Sequence, residues 1–418
     1  MGKGFPAEGG KSITVSNLHL PTLRRDQSAI ARHAARFKVV ACGRRWGKTT
    51  LGLVMAAQAA AEGRRVWWVA PTYGLAFHPW RALKAALMPI WAYKSEAERH
   101  IDLPGGGFIT VKSADDPDGL RGVGLDLVVV DEAAFIAEEA WTAALRPALS
   151  DRRGRALLIS TPRGRNWFYH AYQRGLDRRN RVWRSWRYPT TKNPRIPREE
   201  VDEARSLLPE HIFRQEYEAE FLADGGVVFR NVHAAATAPR HATPIADHRY
   251  VMGIDFGRYQ DFTALVVIDA DAQPVPTMVA LERFSAVSWG VQRTRIAALA
   301  RRWDVRAILA EANAMGEPNI EALRREGLPI AGFTTTAFSK PPLIESLVKA
   351  IEDGEVCLLP DAVLLGELEA YAYTTDRYTG RTRYAAPPGL HDDTVIALAL
   401  AWWLVSSPRL ALAVAEVE

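Results

Sequence analysis

Two groups of residues in this sequence have types and spacings that could do chemistry. The first begins with Cys42-Gly-Arg-Arg-Trp-Gly-Lys-Thr-Thr50, which follows the apolar run KVVAC and precedes an Ala/Leu-rich stretch. A phosphate-cradling loop needs glycines so that backbone N–H groups can turn inward. It also needs a lysine for the β/γ-phosphates and a hydroxyl for Mg²⁺. Gly43 and Gly47 would shape such a loop, with Arg44, Arg45 and Thr50 beside it. Lys48 would neutralise charge and Thr49 would bind the metal. One departure stands out: Cys42 occupies the place five residues before Gly47 where glycine is usual, and the glycine comes one step later. About 80 residues on, LDLVVVDEAAF sets Asp131 and Glu132 at the end of an apolar run, where a doubly wound sheet places catalytic groups. Asp131 would hold Mg²⁺ and Glu132 would polarise the attacking water, which together read as ATP hydrolysis. Ser160-Thr161-Pro162, after a further apolar run, offers small hydroxyls that could sense a γ-phosphate and pass that state on.

The second group is acidic. Asp255 in VMGIDFG, Glu311 ending RAILAE, and Asp392 and Asp393 in GLHDDTVIALALAWW lie far apart in sequence, yet each sits at a strand end or a helix start. Such carboxylates suit a two-metal phosphodiesterase, whose ions stabilise the attacking and leaving oxygens. Hard oxygen ligands favour Mg²⁺ or Mn²⁺ over zinc. The plain alternative is that Asp392 and Asp393 serve a helix N-terminus and Glu311 merely ends a strand. His391 has no second histidine at ligand spacing and reads as a neighbour.

These positions demand elements to hold them. Continuous β-branched runs at 38–42, 65–70, 125–130 and 156–160, with a helical stretch at 49–61, predict a parallel sheet buried on both faces. Residues 222–248 are rich in Gly, Ala, Pro and His without helical periodicity, and read as a linker. The pattern then restarts with strands at 250–255, 263–269 and 306–311, a helix near 291–303 and a closing helix from about 393 to 405. The expected organisation is an α/β chain: an ATPase domain over 1–221 with a small lid near 165–221, the linker, and a second α/β domain over 249–418.

With 418 residues, 48% hydrophobic and 24% charged, the composition is that of a globular protein of two to three domains. No apolar run reaches the roughly 18 residues of a membrane span, and the N-terminal residues lack the apolar core of a secretory signal. Two cysteines exclude a disulfide framework and a cysteine-based zinc site. The expectation is a cytoplasmic chain. A net charge of +5 permits a polyanionic partner without demonstrating one. Residues 151–187 hold eleven Arg and only two Asp, with five Trp or Tyr threaded among them, which suits a DNA path, a lid over ATP, or packed core.

Taken together, Gln27 ahead of FKVVACGRRWGKTT, then SADDPDGLRGVGLDLVVVDEAAF, LLISTPRGR, GIDFG, LAE and HDDTVIALALAWW resemble, in order, the large terminase subunit of tailed bacteriophages. The resemblance spans most of the chain. It implies an N-terminal P-loop (ASCE-type) NTPase domain with a parallel sheet and a C-terminal RNase H-like nuclease domain. By position it makes Gln27 an adenine contact, Asp131–Glu132 the Walker B pair and Ser160-Thr161-Pro162 the coupling motif. It makes Arg121 the candidate arginine finger, with Arg44 and Arg45 competing. Asp255, Glu311 and Asp393 become nuclease metal ligands, with Asp392 assisting. The implied activity is ATP-driven packaging of double-stranded DNA into the procapsid plus metal-dependent cutting of concatemers. Its cofactors would be ATP and Mg²⁺, with Mn²⁺ an option at the nuclease. Implied partners are DNA, the portal protein, the small terminase subunit and further copies in a ring on the procapsid, in the host cytoplasm and away from membranes. The isolated chain could be a monomer.

Tyr373–Tyr384 reads independently as a β-hairpin with Thr379-Gly380 near its turn. Arg377, Arg381 and Arg383 on it would steer DNA across the nuclease acids, or would serve solubility alone. Two other readings stand beside the packaging motor. A helicase or repair ATPase with a fused nuclease would need a second motor sheet, and 249–418 shows no second phosphate-grip pattern. A binding module with a dead nuclease is hard to reconcile with four retained acids.

Overall fold

The computed structural model describes residue 18 and residues 20–415, except 117, 223–225, 227, 258–260, 314–315 and 376–381. The described residues fall into two compact units. The first takes residues up to 204 with 211–222 and 375, and the second takes 205–210, the chain from 226 to 374, and 382–415.

The first unit is organised by one sheet whose strands are Phe37–Cys42 (β1), Arg65–Ala70 (β2), Tyr93–Ser95 (β3), His100–Asp102 (β4), Phe108–Ser113 (β5), Leu127–Asp131 (β6), Arg155–Ser160 (β7) and Trp183–Tyr188 (β8). Their order is β3-β4-β5-β2-β6-β7-β1-β8. Six strands run parallel, and β3 and β4 add an antiparallel edge. Every residue of β1 and β6 is buried, which is why these strands read as unbroken apolar runs rather than alternating ones. The helix Lys48–Ala61 crosses one face so closely that a Cβ on Gly52 would lie 2.8 Å from the Trp68 ring. Trp141, Trp167 and Phe168 fill the other face. Parallel strands bring their carboxyl ends to one edge, and the order β6-β7-β1 makes the ends at Asp131, Ser160 and Cys42 neighbours. The segment 183–188, within the stretch read as lid or DNA path, is the edge strand β8 beside β1.

In the second unit Tyr250–Asp255 (β9), Thr263–Asp269 (β10), Thr277–Phe284 (β11), Val305–Glu311 (β12) and Ile330–Phe333 (β13) form a sheet ordered β11-β10-β9-β12-β13. Here β9 to β11 are antiparallel, while β12 and β13 run parallel to β9. The helix Asp393–Ser406 is apolar on all sides because the unit buries it almost entirely. No single described helix is long and apolar enough to cross a membrane. The described part of the stretch read as a linker packs into this unit. Val228, Phe229, Val232 and Ala235 are buried, and Ala238 N–H donates to Leu358 O at 3.0 Å.

Gly253, in the middle of β9, fixes how near the helix Asp393–Ser406 can come. A Cβ there would lie 2.0 Å from the carbonyl oxygen of Ala397 and 2.5 Å from the nitrogen of Ala401. Both are backbone atoms, so no side chain can swing aside. Gly253→Val is therefore expected to cost about 3 kcal/mol in urea unfolding and to pull Asp393 away from Asp255. Unchanged stability would show that the helix is free to retreat.

Candidate active sites

At the carboxyl edge of the first sheet, β1 ends at Cys42 and the chain turns through Gly43–Gly47 into the helix starting at Lys48. The turn needs left-handed backbone at Arg45 (φ 60°) and Gly47 (φ 102°). Gly43 is required for a different reason: a Cβ would lie 2.4 Å from Tyr217 O and 2.5 Å from Thr190 Oγ1. Cys42 is the last strand residue and buried, and burial pushes its thiol up to about 12, so it stays neutral. The loop is braced from outside. Arg44 N–H donates to Glu216 O at 2.7 Å. Thr190 Oγ1 donates to Arg44 O at 2.7 Å, Asn193 Nδ2 to Arg45 O at 2.6 Å, and Gln27 Nε2 to Gly47 O at 3.0 Å. Trp46 is buried beneath, stacked on Tyr188 with ring centroids 5.1 Å apart. Such bracing holds the backbone donors in place before any ligand arrives.

Lys48 Nζ lies 3.0 Å from Glu132 Oε1, and Ser160 Oγ donates to Glu132 Oε2 at 3.3 Å. Ser160 Oγ in turn accepts the Ala134 N–H at 3.2 Å, so one hydroxyl links the ends of β6 and β7. Glu132 itself has left-handed backbone (φ 50°), which turns its side chain out of the strand. Burial, then the neighbouring Glu132 charge, raise the Asp131 carboxyl to about 7, against the pull of Lys48. Burial opposes the Lys48 ammonium, yet the Glu132 carboxylate keeps its pKa raised. Thr49 and Thr50 are half-buried in the first helical turn, and Thr161 is buried next to Ser160.

In the second unit β9 and β12 are adjacent and parallel, so Asp255 and Glu311 close neighbouring strands. Their carboxyl groups are close enough to interact directly. Burial, then Glu311, then Asp393 and Asp392 hold the Asp255 carboxyl well above the usual range. Asp392 precedes and Asp393 opens the helix Asp393–Ser406. Burial, then Glu367, push Asp393 up to about 6, against Arg283 and His391. Asp393 Oδ2 is 3.3 Å from Arg283 Nη2, and Asp392 Oδ2 is 3.4 Å from Lys340 Nζ. Among the described residues, no three His, Cys, Asp or Glu side chains already converge as a metal-ligand group. Asp255 lies beside Glu311, Asp393 and Asp392 are near enough to raise it further, and those two are each also paired to a protein cation. The physical reason is repulsion. Four clustered carboxylates must share protons or find positive charge, and Arg283 and Lys340 supply it.

A family model described as the N-terminal part of the T4likevirus-type large terminase subunit matches residues 40–233, and one described as the terminase RNaseH-like domain matches 252–402. The chain is 30% identical over 421 aligned residues to the large terminase subunit of Thermus virus P23-45, covering 90% of this chain and 86% of that one. It belongs to the family of terminase large subunits. Against the corresponding subunit of Escherichia phage T5 it is 32% identical over 250 residues, covering 56% of each. In fold, it is similar to the solved large terminase of a thermophilic bacteriophage, at 12% identity and a TM-score of 0.57 over 91% of this chain and 98% of that one.

This terminase chain accordingly pairs an ATPase-type α/β domain with an RNase H-like domain. Several residues that shape its sites had no signal in the sequence. Glu367, one of two acids in the helix Ala362–Ala370, is buried, ion-paired to Arg283 at 3.1 Å and accepts the Thr394 N–H at 2.9 Å. Asn313 Nδ2 donates to Glu311 Oε1 at 3.1 Å. Arg283 lies over the Phe262 ring, 3.4 Å from its centroid. Of the named arginines, Arg44 is ion-paired to Glu216 at 2.6 Å, and Arg45 and Arg121 are exposed. Both ends of the Gln27 amide are taken up by backbone, at Arg24 N–H and Gly47 O. The hairpin strands Ala372–Thr375 and Thr382–Ala385 pair as expected, with Arg383 exposed. Arg377 and Arg381 lie outside the described residues.

Proposed function

We propose that the first unit hydrolyses ATP to drive double-stranded DNA into a procapsid, and that the second unit cuts concatemeric DNA. The arrangement of Lys48, Glu132 and Ser160 at one sheet edge carries the first part. Backbone N–H groups of 43–49 and the Lys48 ammonium would hold the β/γ-phosphates. Thr49 and Asp131 would hold Mg²⁺, and Glu132, released from Lys48 as the phosphates take over that cation, would orient and deprotonate the attacking water. Ser160 and Thr161 would report the γ-phosphate to the neighbouring strand. Arg121, exposed in the segment leading into β6, is the arginine we assign to a neighbouring copy's ATP, with Arg44 and Arg45 the competing candidates.

Asp255, Glu311 and Asp393, assisted by Asp392, would hold Mg²⁺ or Mn²⁺. The adjacent strand ends at Asp255 and Glu311, with Asp392 and Asp393 near Asp255, support a dication among them. Bound there, the ions would activate water and stabilise the leaving oxygen of a phosphodiester. Asn313 would orient Glu311, and Arg283 with Glu367 would set the Asp393 rotamer. Arg383 on the hairpin would meet the DNA backbone. Portal protein, small subunit and a ring of copies, in the infected host's cytoplasm, complete the reading.

Supercoiled plasmid tests the nuclease, with Mg²⁺ or Mn²⁺ and an EDTA control, and phosphate release in the presence of prohead and DNA tests the motor. Because burial and neighbouring acids raise Asp255, and raise Asp393 to about 6, a dication must compete with protons there, and cleavage should rise as pH climbs through about 6. More Mg²⁺ should move that profile to lower pH. A profile indifferent to metal concentration would refute proton–metal competition at these acids.

A further inference from the structure

The first unit has a cavity of about 200 Å³ at the end of its sheet opposite the phosphate loop. It lies between the last turn of the helix Arg25–Arg32, the last turns of Lys48–Ala61 and the starts of β1, β6 and β7, over an apolar floor that includes Met55 and Leu127. Four cations and two carboxylates line it. Both acids are engaged: Glu62 pairs with Arg64 at 3.2 Å, and Asp126 pairs with Arg152 at 2.8 Å. That leaves Arg32, Lys38 and Arg155, none of which has a carboxylate within 4.0 Å among the described residues. Lys38 is 2% exposed, and its ammonium donates to the Ala31 carbonyl at 2.6 Å.

The positive charge here is crowded. Burial, then Arg155, bring Lys38 down to about 8. A buried ammonium beside a guanidinium, with no carboxylate at hand, leaves a positive potential the protein itself does not neutralise.

We infer that this cavity is a phosphate-binding site, with Lys38 as the inner donor and Arg32 and Arg155 as arms at its mouth. A group with only acceptors fits a lining whose unpaired charged groups are all cationic donors, with the Gln58 amide as a further donor. The planar arginine forks match tetrahedral oxyanions better than a single carboxylate would. The site ties together elements that carry the loop region at their other ends: Gln27 on the first helix, Lys48 on the second, and Ser160 closing β7. The phosphate is either a free ion or one on a DNA backbone.

The test is thermal unfolding of the full chain in about 10 mM phosphate against chloride of equal ionic strength. The parent should gain about 2–4 °C. The exposed double variant Arg32→Gln/Arg155→Gln should lose that gain, and Lys48→Ala, which removes the phosphate contact at the loop, should keep it. Loss with Lys48→Ala and retention in the double variant would place phosphate at the loop alone and overturn the inference, as would no gain in the parent. A second arm separates the sources. If the double variant lowers the salt slope of duplex DNA binding by about 0.9 per lost contact, the phosphate belongs to DNA. If the slope is unchanged while the phosphate effect is lost, the ligand is the free ion.

Discussion

Glu132→Gln is expected to lower ATP turnover by about 10³-fold, the range for loss of a general base, while Mg²⁺-dependent nicking stays within about twofold of the parent. The geometry explains the size of the effect. Glu132 is held by Ser160 at 3.3 Å and Lys48 at 3.0 Å, so the amide keeps the place but can no longer take a proton. Nucleotide should still bind, and more readily, because Lys48 loses its competing carboxylate and turns fully to the phosphates. Measuring phosphate release and nucleotide affinity on one preparation separates the two effects. Full turnover in the variant would remove Glu132 from the chemistry. Loss of both turnover and nicking in a folded protein would defeat the assignment of separate sites.

The converse substitution, Asp255→Asn, should abolish cleavage to below about one part in 10³ and leave ATP turnover intact. It also carries a stability signature that a purely structural residue would not. The Asp255 carboxyl is raised well above its ordinary range by burial and by Glu311. A raised acid contributes fully to stability below its unfolded pKa, and that contribution falls progressively as pH rises from there through the folded pKa. At neutral pH the buried Asp255 is therefore a burden, so the neutral amide should raise Tm in EDTA. Added Mg²⁺ should stabilise the parent and not the variant. A variant less stable than the parent in EDTA would mean that Asp255 is held by favourable bonds and is not strained by its neighbours. The same sign applies at Asp131, whose carboxyl stands at about 7. Both sites hold acids in places that favour cation capture over stability, as functional sites commonly do.

Much of this was legible along the chain because the parallel strands are buried on both faces. Burial forces unbroken apolar runs, and those runs point to the residues at their ends: Asp131, Ser160, Asp255 and Glu311. The helix Lys48–Ala61 was legible too, from its Ala/Leu-rich run directly after the glycine-bearing turn. Only the fold shows why Gly43 must be glycine: a Cβ there would strike Thr190 and Tyr217. Short or half-exposed strands carry no such signature. In β8, WRSWRY mixes arginine with tryptophan, and in β11, TMVALERF is mostly half-buried. Their strand character comes from pairing with neighbours rather than from their own pattern.

What the sequence determined alone is the set of reactive groups and the ends of elements on which they sit, because burial periodicity and loop chemistry are local properties. Only the tertiary structure decided the company they keep: Lys48 on Glu132, Arg283 between Glu367 and Asp393, Lys340 on Asp392, and Lys38 crowded by Arg155. Each of those pairings joins residues far apart along the chain. Charge acts through space, so no local pattern records which acid will meet which cation.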